Sequence, residues 1–185
     1  MEHTLIISGF GGQGIILAGR LVAFAAMRAG RRVTFIPAYG AEVRGGASNC
    51  TVVISDQPIA CPVVGLPECL IALSKAALMR FANKVRPGGV VLFNSDTTGP
   101  SDPRPDGPTR ICVPAERLAA GLGNIRAANM VMLGAYAALR PILTVQQLAQ
   151  TLPHVLAPRH HDTINLNTKA MELGQDFVRQ LVRSF

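Results

Sequence analysis

The chain has 185 residues, 49% of them apolar and 16% charged, with a net charge of +7 at neutral pH. This length and apolar share suit one domain, residues 1–185, with its own core, and exclude a disordered chain. No apolar run reaches the roughly eighteen residues that span a bilayer, and Met1-Glu2-His3-Thr4 lacks the basic start of a secretory signal, so a cytoplasmic location without membrane contact is expected.

Fifteen of the eighteen basic residues are arginine, scattered apart from Arg31-Arg32, and the chain has no tryptophan. Without aromatic side chains to stack bases, nucleic acid is not an expected partner. An anionic ligand, an acidic partner protein and a merely solvated arginine-rich surface all remain open. Cys50, Cys61, Cys69 and Cys112 form no CxxC pair, so neither a zinc nor an iron–sulfur site is encoded and reduced thiols are expected.

Thr4 to Ser8 is a short apolar run that reads as a buried strand. Gly9-Phe-Gly-Gly-Gln-Gly14 follows, then helix formers from Ile15 to Ala29 with a stop at Gly30. Val33 to Ile36 predicts a second strand. The loop Tyr39-Gly-Ala-Glu-Val-Arg-Gly-Gly46 leads to a β-rich stretch from Ser48 to Ser55, a turn at Asp56-Gln-Pro58, and a run from Ile59 to Val64 expected to pair back as a hairpin. Cys69 to Leu73 predicts another buried strand. Ser74 is placed to cap a helix from Lys75 to Val85, which Pro87-Gly-Gly89 ends.

Val90 to Phe93 and Arg110 to Val113 predict two further strands, separated by a proline-rich surface loop over 95–108. Pro114 opens a helix to about Leu122. Asn129 to Leu139 is apolar all round, which implies burial or a subunit contact, and an exposed patch prone to self-association was a consequence of the second option. Thr144 and Gln147 have capping-box spacing, and Leu166, Ala170, Leu173, Phe177 and Leu181 form one stripe on a final helix. Together these elements predict an α/β fold: a doubly wound, mainly parallel sheet with helices on both faces and a β-hairpin excursion.

Gly9-x-Gly11-x-x-Gly14 has the spacing of a dinucleotide fingerprint and sits between a strand and a helix. Glycines allow positive φ and close approach, and a helix N-terminus offers N–H groups to a phosphate. The companion acid at the end of the second strand is missing, because Val33 to Ile36 runs into Pro37-Ala-Tyr39. A tight turn that binds nothing is an equal reading. Arg44, between Glu42 and Gly45-Gly46, is a second candidate for gripping a carboxylate or phosphate, against a surface pair with Glu42. His160-His161-Asp162 has no evident third ligand, and Ser8 and Ser74 have no histidine pattern, so no catalytic and no metal-binding residue is assigned.

Several stretches resemble, in order, the gamma subunit of 2-oxoacid:ferredoxin oxidoreductases: Gly9-Phe-Gly-Gly-Gln-Gly-Ile15, Tyr39 to Gly46, Ile71-Ala-Leu-Ser74, Pro87-Gly-Gly89, Ala128-Asn-Met-Val-Met-Leu-Gly134, and Asn167-Thr-Lys-Ala170 with Gly174. The Tyr-Gly-x-Glu-Val-Arg-Gly-Gly loop is more similar to 2-oxoglutarate members than to pyruvate ones. The resemblance implies a subunit with no cofactor of its own, inactive alone, in an enzyme that converts a 2-oxoacid to its acyl-CoA and passes electrons to ferredoxin. It implies alpha and beta subunits holding thiamine diphosphate and magnesium, a ferredoxin-like subunit with iron–sulfur clusters, and coenzyme A as co-substrate. Gly11, Gly12, Gln13, Gly14, Glu42, Arg44, Gly45 and Gly46 are the residues it carries over, for ligand contact or for shaping a subunit interface. The alternatives are a free-standing NAD(P)- or nucleotide-binding protein, and a scaffold whose glycine loops only pack against partners.

Overall fold

A computed structural model describes residues 1–40, 46–98 and 107–183. The strands are β1 (Glu2–Phe10), β2 (Arg32–Tyr39), β3 (Ala47–Ser55), β4 (Cys69–Ala72), β5 (Val90–Asn94) and β6 (Thr109–Val113). The α-helices are α1 (Ile15–Arg28), α2 (Lys75–Phe81), α3 (Ser95–Thr98), α4 (Ala115–Gly121), α5 (Ala128–Leu139), α6 (Val145–Val155) and α7 (Ile164–Arg183). Among the described residues no helix is long and apolar enough to cross a membrane.

All six strands lie in one sheet, in the order β2-β3-β1-β4-β5-β6. β1, β4, β5 and β6 pair in parallel. β3 runs antiparallel to both neighbours, β1 and β2, so it is the one reversed strand in a mainly parallel sheet. Alternation along β1 explains the layering. Leu5 and Ile7 face the larger core, beneath α1, α5, α6 and α7, while Ile6 faces a smaller core with Leu70, Phe93 and Phe81 of α2.

The hairpin excursion exists, but its partners differ from the expectation. β3 pairs with β2 and β1, and Ile59 to Val64 forms no strand. Pro62 removes a ladder donor from the middle of that run, and both edges of β3, on which a returning strand would pair, are already taken by β1 and β2. Two boundaries also shift. The helix expected to Val85 becomes 3₁₀ after Phe81, at Ala82–Lys84, and Ser95–Thr98 is a short helix where a loop was expected. The remainder of that proline-rich loop, 99–106, lies outside the described residues.

Burial resolves the two options for the apolar helix. Ten successive residues of α5, from Ala128 to Ala137, are buried, between the sheet on one side and α7 and α4 on the others. α5 therefore supplies no exposed patch through which the chain could self-associate. The contact with α7 is close because of two glycines: Gly134 of α5 lies against the backbone of Met171, and Gly174 of α7 against that of Val131. The capping sites follow the sequence. Ser74 Oγ accepts the Ala77 N–H at 3.2 Å, and Thr144 and Gln147 form a reciprocal capping box.

Candidate functional site

The parallel strands place their C-terminal ends at one edge of the sheet, and the chain reverses its direction of travel between β1 and β4. From β1 it leaves through α1, over the larger core, towards β2. From β4 it leaves through α2, over the opposite face, towards β5. Open α/β sheets bind ligands in the crevice at such a point, and the Gly11–Gly14 turn stands there.

The turn is shaped by particular contacts. Gly12 and Gly14 have φ of 97° and 70°, in the left-handed region where glycine is favoured. Gly14 is the N-cap of α1, no side chain caps that end, and its first turn carries no acidic residue. A helix of this length, uncapped and without acid at its N-terminus, offers positive potential to an anion. Gly9 is buried at the end of β1, and a Cβ there would run into the Gln13 carboxamide, with Ile15 Cδ1 2.9 Å away.

Gln13 bridges the crevice. Its Oε1 accepts the Phe10 N–H at 2.8 Å, and its Nε2 donates to the Leu73 carbonyl at 3.1 Å, at the end of β4. On one side of Gln13 is a cleft of about 190 Å³ lined by Gly12, Leu73, Glu116, Ile125, Arg126 and Ala128. On the other is a more open, mainly apolar recess of about 450 Å³ with Phe10, Ser74, Lys75 and Met79. Each side carries one exposed basic residue, Arg126 or Lys75. Sequence reasoning missed Arg126 and Glu116, because nothing in their spacing ties them to a turn a hundred residues away.

Gly46, the last residue of the second glycine loop, reaches the same place. The Gly11 N–H donates to the Gly46 carbonyl at 2.9 Å, and Gly46 is buried. Glu42, Arg44 and Gly45 lie outside the described residues. The four cysteines are spread over β3, β4, β6 and the stretch before β4, and among the described residues no group of three His, Cys, Asp or Glu could hold a metal ion. These residues do not fit an iron–sulfur cluster. His160 and His161 sit on an exposed 3₁₀ turn leading into α7, with His161 Nε2 3.2 Å from the Leu156 carbonyl. Ser8 Oγ donates to the Ser48 carbonyl at 3.4 Å, a tie within the sheet.

The sheet order bears on the dinucleotide reading. In the nucleotide-binding arrangement the second strand lies beside the first, and its tip reaches the ribose. Here β3 lies between them. At about 4.8 Å per strand, the tip of β2 is roughly 10 Å from β1 rather than 5 Å, and it ends in Pro37, Ala38 and Tyr39 without an acid.

At the opposite edge, Glu68 forms a buried ionic hub that the sequence did not reveal. Its Oε2 lies 2.9 Å from His3 Nδ1. Its Oε1 accepts from Arg86 at 2.7 Å and lies 3.5 Å from Arg140 Nη1. Burial pushes the carboxyl up, but the hydrogen bond from His3 and the charges of His3, Arg140 and Arg86 outweigh it and hold Glu68 below the usual carboxylate range. This hub joins the starts of β1 and β4 to the end of α5, far from the glycine turn.

A glycine turn at the switch point of a mainly parallel sheet defines an open-sheet α/β domain. Comparison with known proteins makes this more specific. Residues 4–177 match the family described as pyruvate ferredoxin/flavodoxin oxidoreductase, and the chain belongs to that family. It is 38% identical to ketoisovalerate oxidoreductase subunit VorA of Methanothermobacter thermautotrophicus, over 97% of this chain but only 37% of that protein's length. It is 37% identical to 2-oxoglutarate synthase subunit KorC of Methanocaldococcus jannaschii, over 98% of this chain and 96% of the relative. Among solved structures, the gamma subunit of a keto/oxoacid ferredoxin oxidoreductase from Geobacter sulfurreducens superposes with a TM-score of 0.81 at 29% identity, covering 96% of this chain and 99% of that one.

Proposed function

We propose that this chain is the gamma subunit of a 2-oxoacid:ferredoxin oxidoreductase acting on 2-oxoglutarate, and that its glycine turn receives a phosphate of coenzyme A. The observation that carries the subunit assignment is the end-to-end match with the KorC relative, at 96% of that protein's length. The ketoisovalerate relative carries a domain of similar identity within a longer chain, and the likeness of the Tyr39 to Gly46 loop to 2-oxoglutarate members is what favours 2-oxoglutarate here.

The chain's own residues define its part of the work. Gly12 and Gly14 allow a phosphate close approach, the α1 N-terminus supplies N–H groups and positive potential, and Arg126 and Arg44 supply cationic side chains. Coenzyme A carries phosphate on its ribose, which agrees with the absence of a ribose-binding acid at the tip of β2. Thiamine diphosphate, magnesium and the clusters are assigned in this proposal to alpha, beta and ferredoxin-like partner chains. The test is Arg44→Ala in the assembled enzyme. The KM for coenzyme A should rise about tenfold, the effect of losing one charge-assisted contact, with the KM for the oxoacid nearly unchanged. An unchanged coenzyme A dependence in an intact assembly would refute the phosphate seat.

A further inference from the structure

The glycine turn is held by two side-chain amides, and each can be oriented in only one way. Asn129, 4% exposed, donates from Nδ2 to the Gly14 carbonyl at 3.1 Å and accepts the Met130 N–H on Oδ1 at 2.9 Å. Gln13 accepts the Phe10 N–H and donates to the Leu73 carbonyl. Turning either amide over would set an oxygen against a carbonyl and an NH₂ against an N–H. Neither side chain can therefore reverse its polarity to suit a ligand without breaking two bonds.

The peptide plane transmits this constraint. A carbonyl and the next N–H share one rigid plane and point in opposite directions. The Gly14 carbonyl, held by Asn129 together with the Ala18 N–H at 2.9 Å, thus fixes the Ile15 N–H, the first of the helical N–H groups of α1. Fixing the Leu73 carbonyl likewise fixes the Ser74 N–H on the far side of the crevice. Gly14 serves the same end: a Cβ there would occupy the position of the Asn129 amide.

We infer that Asn129 and Gln13 are positioning residues that set the shape of the glycine turn for its anion, Asn129 from behind the turn and Gln13 from the wall of the cleft. The inference rests on the reading of that turn as the coenzyme A phosphate seat. Asn129 is the sharper case, because it is buried behind the turn and comes from α5, 115 positions along the chain.

The experiment uses the assembled enzyme with Asn129→Leu and Asn129→Asp. The leucine variant keeps the volume and loses the donor, so the KM for coenzyme A should rise about tenfold while kcat falls by less. The aspartate variant presents a carboxylate oxygen to the Gly14 carbonyl in alkaline buffer and a hydroxyl donor once protonated. Its KM, measured against wild type at each pH, should recover as the pH is lowered, a rescue that a mere packing role would not give. An Asn129→Leu enzyme whose coenzyme A KM is unchanged while Arg44→Ala raises it would overturn the inference. So would an aspartate variant that tracks the leucine variant at every pH. If Arg44→Ala also leaves coenzyme A dependence intact, the phosphate seat itself is wrong and the inference falls with it.

Discussion

Gly134 of α5 and Gly174 of α7 give their two helices a crossing at which neither can carry a side chain. A Cβ on the first would overlap the backbone of Met171, and one on the second the backbone of Val131. Alanine is the better helix former by about 0.5–1 kcal/mol, but here the clash is with main chain, which cannot rotate away. Gly134→Ala and Gly174→Ala should each destabilise by about 1–3 kcal/mol in denaturant titrations. Gly121, the last residue of α4, has open space at the same position. Gly121→Ala should be neutral or mildly stabilising, and equal losses at all three glycines would contradict the close crossing.

The Glu68 hub predicts an acid-sensitive step. Its carboxyl is held below the usual range in the folded chain, so its contribution is present above the unfolded-state pKa of about 4.3 and is lost as the pH falls through the lower folded value. Removing the carboxylate leaves His3, Arg86 and Arg140 without their common partner; because Arg86 is half exposed and screened by solvent, Glu68→Leu should cost about 1–3 kcal/mol. The stability gap between wild type and variant should shrink in acid. A gap independent of pH would show that packing, rather than charge, does the work.

Thiol reactivity should separate the cysteines. Burial pushes the Cys50 thiol up to about 12, and does the same for Cys69, so neither provides appreciable thiolate near neutral pH. Cys61 is exposed and Cys112 is partly buried. Alkylation followed by peptide mass spectrometry should label Cys61 first and Cys50 and Cys69 only on unfolding. Rapid labelling of Cys50 in the folded chain would place β3 elsewhere than between β1 and β2.

Much of this arrangement was legible because it is local. The apolar run, the glycines and the following helix formers marked β1, the turn and α1, and Ser74 and Thr144 announced their helices. The position of β3 was not legible, since the alternation from Ser48 to Ser55 looks alike whether the strand pairs forwards or backwards. On α7 the expected stripe is Leu166, Ala170, Leu173, Phe177 and Leu181; Ala170 lies at its buried centre, with Asn167, Met171, Gly174 and Val178 beside it, and the other four lie partly buried on the flanks. Gly174 is central there because it has no side chain, so it gives no hydrophobic signal. In the site, the turn could be read from spacing. The Asn129 tie could not, because it joins residues brought together only by the fold.

The inserted strand also makes a negative prediction. With β3 between β1 and β2, and no acid at the tip of β2, the turn lacks the ribose partner of a dinucleotide site. Titration of the isolated chain with NADH and NADPH, followed by calorimetry or fluorescence, should show no micromolar binding.

The central claim is that the chain works inside an oxoacid-oxidising assembly. Co-purification from the native source, followed by an assay for oxoacid-dependent reduction of ferredoxin, tests it most directly. Thiamine-diphosphate subunits should appear in the same complex, and 2-oxoglutarate should drive reduction that stops when coenzyme A is withheld. A chain that purifies alone and binds NAD(P)H at micromolar concentration would contradict it.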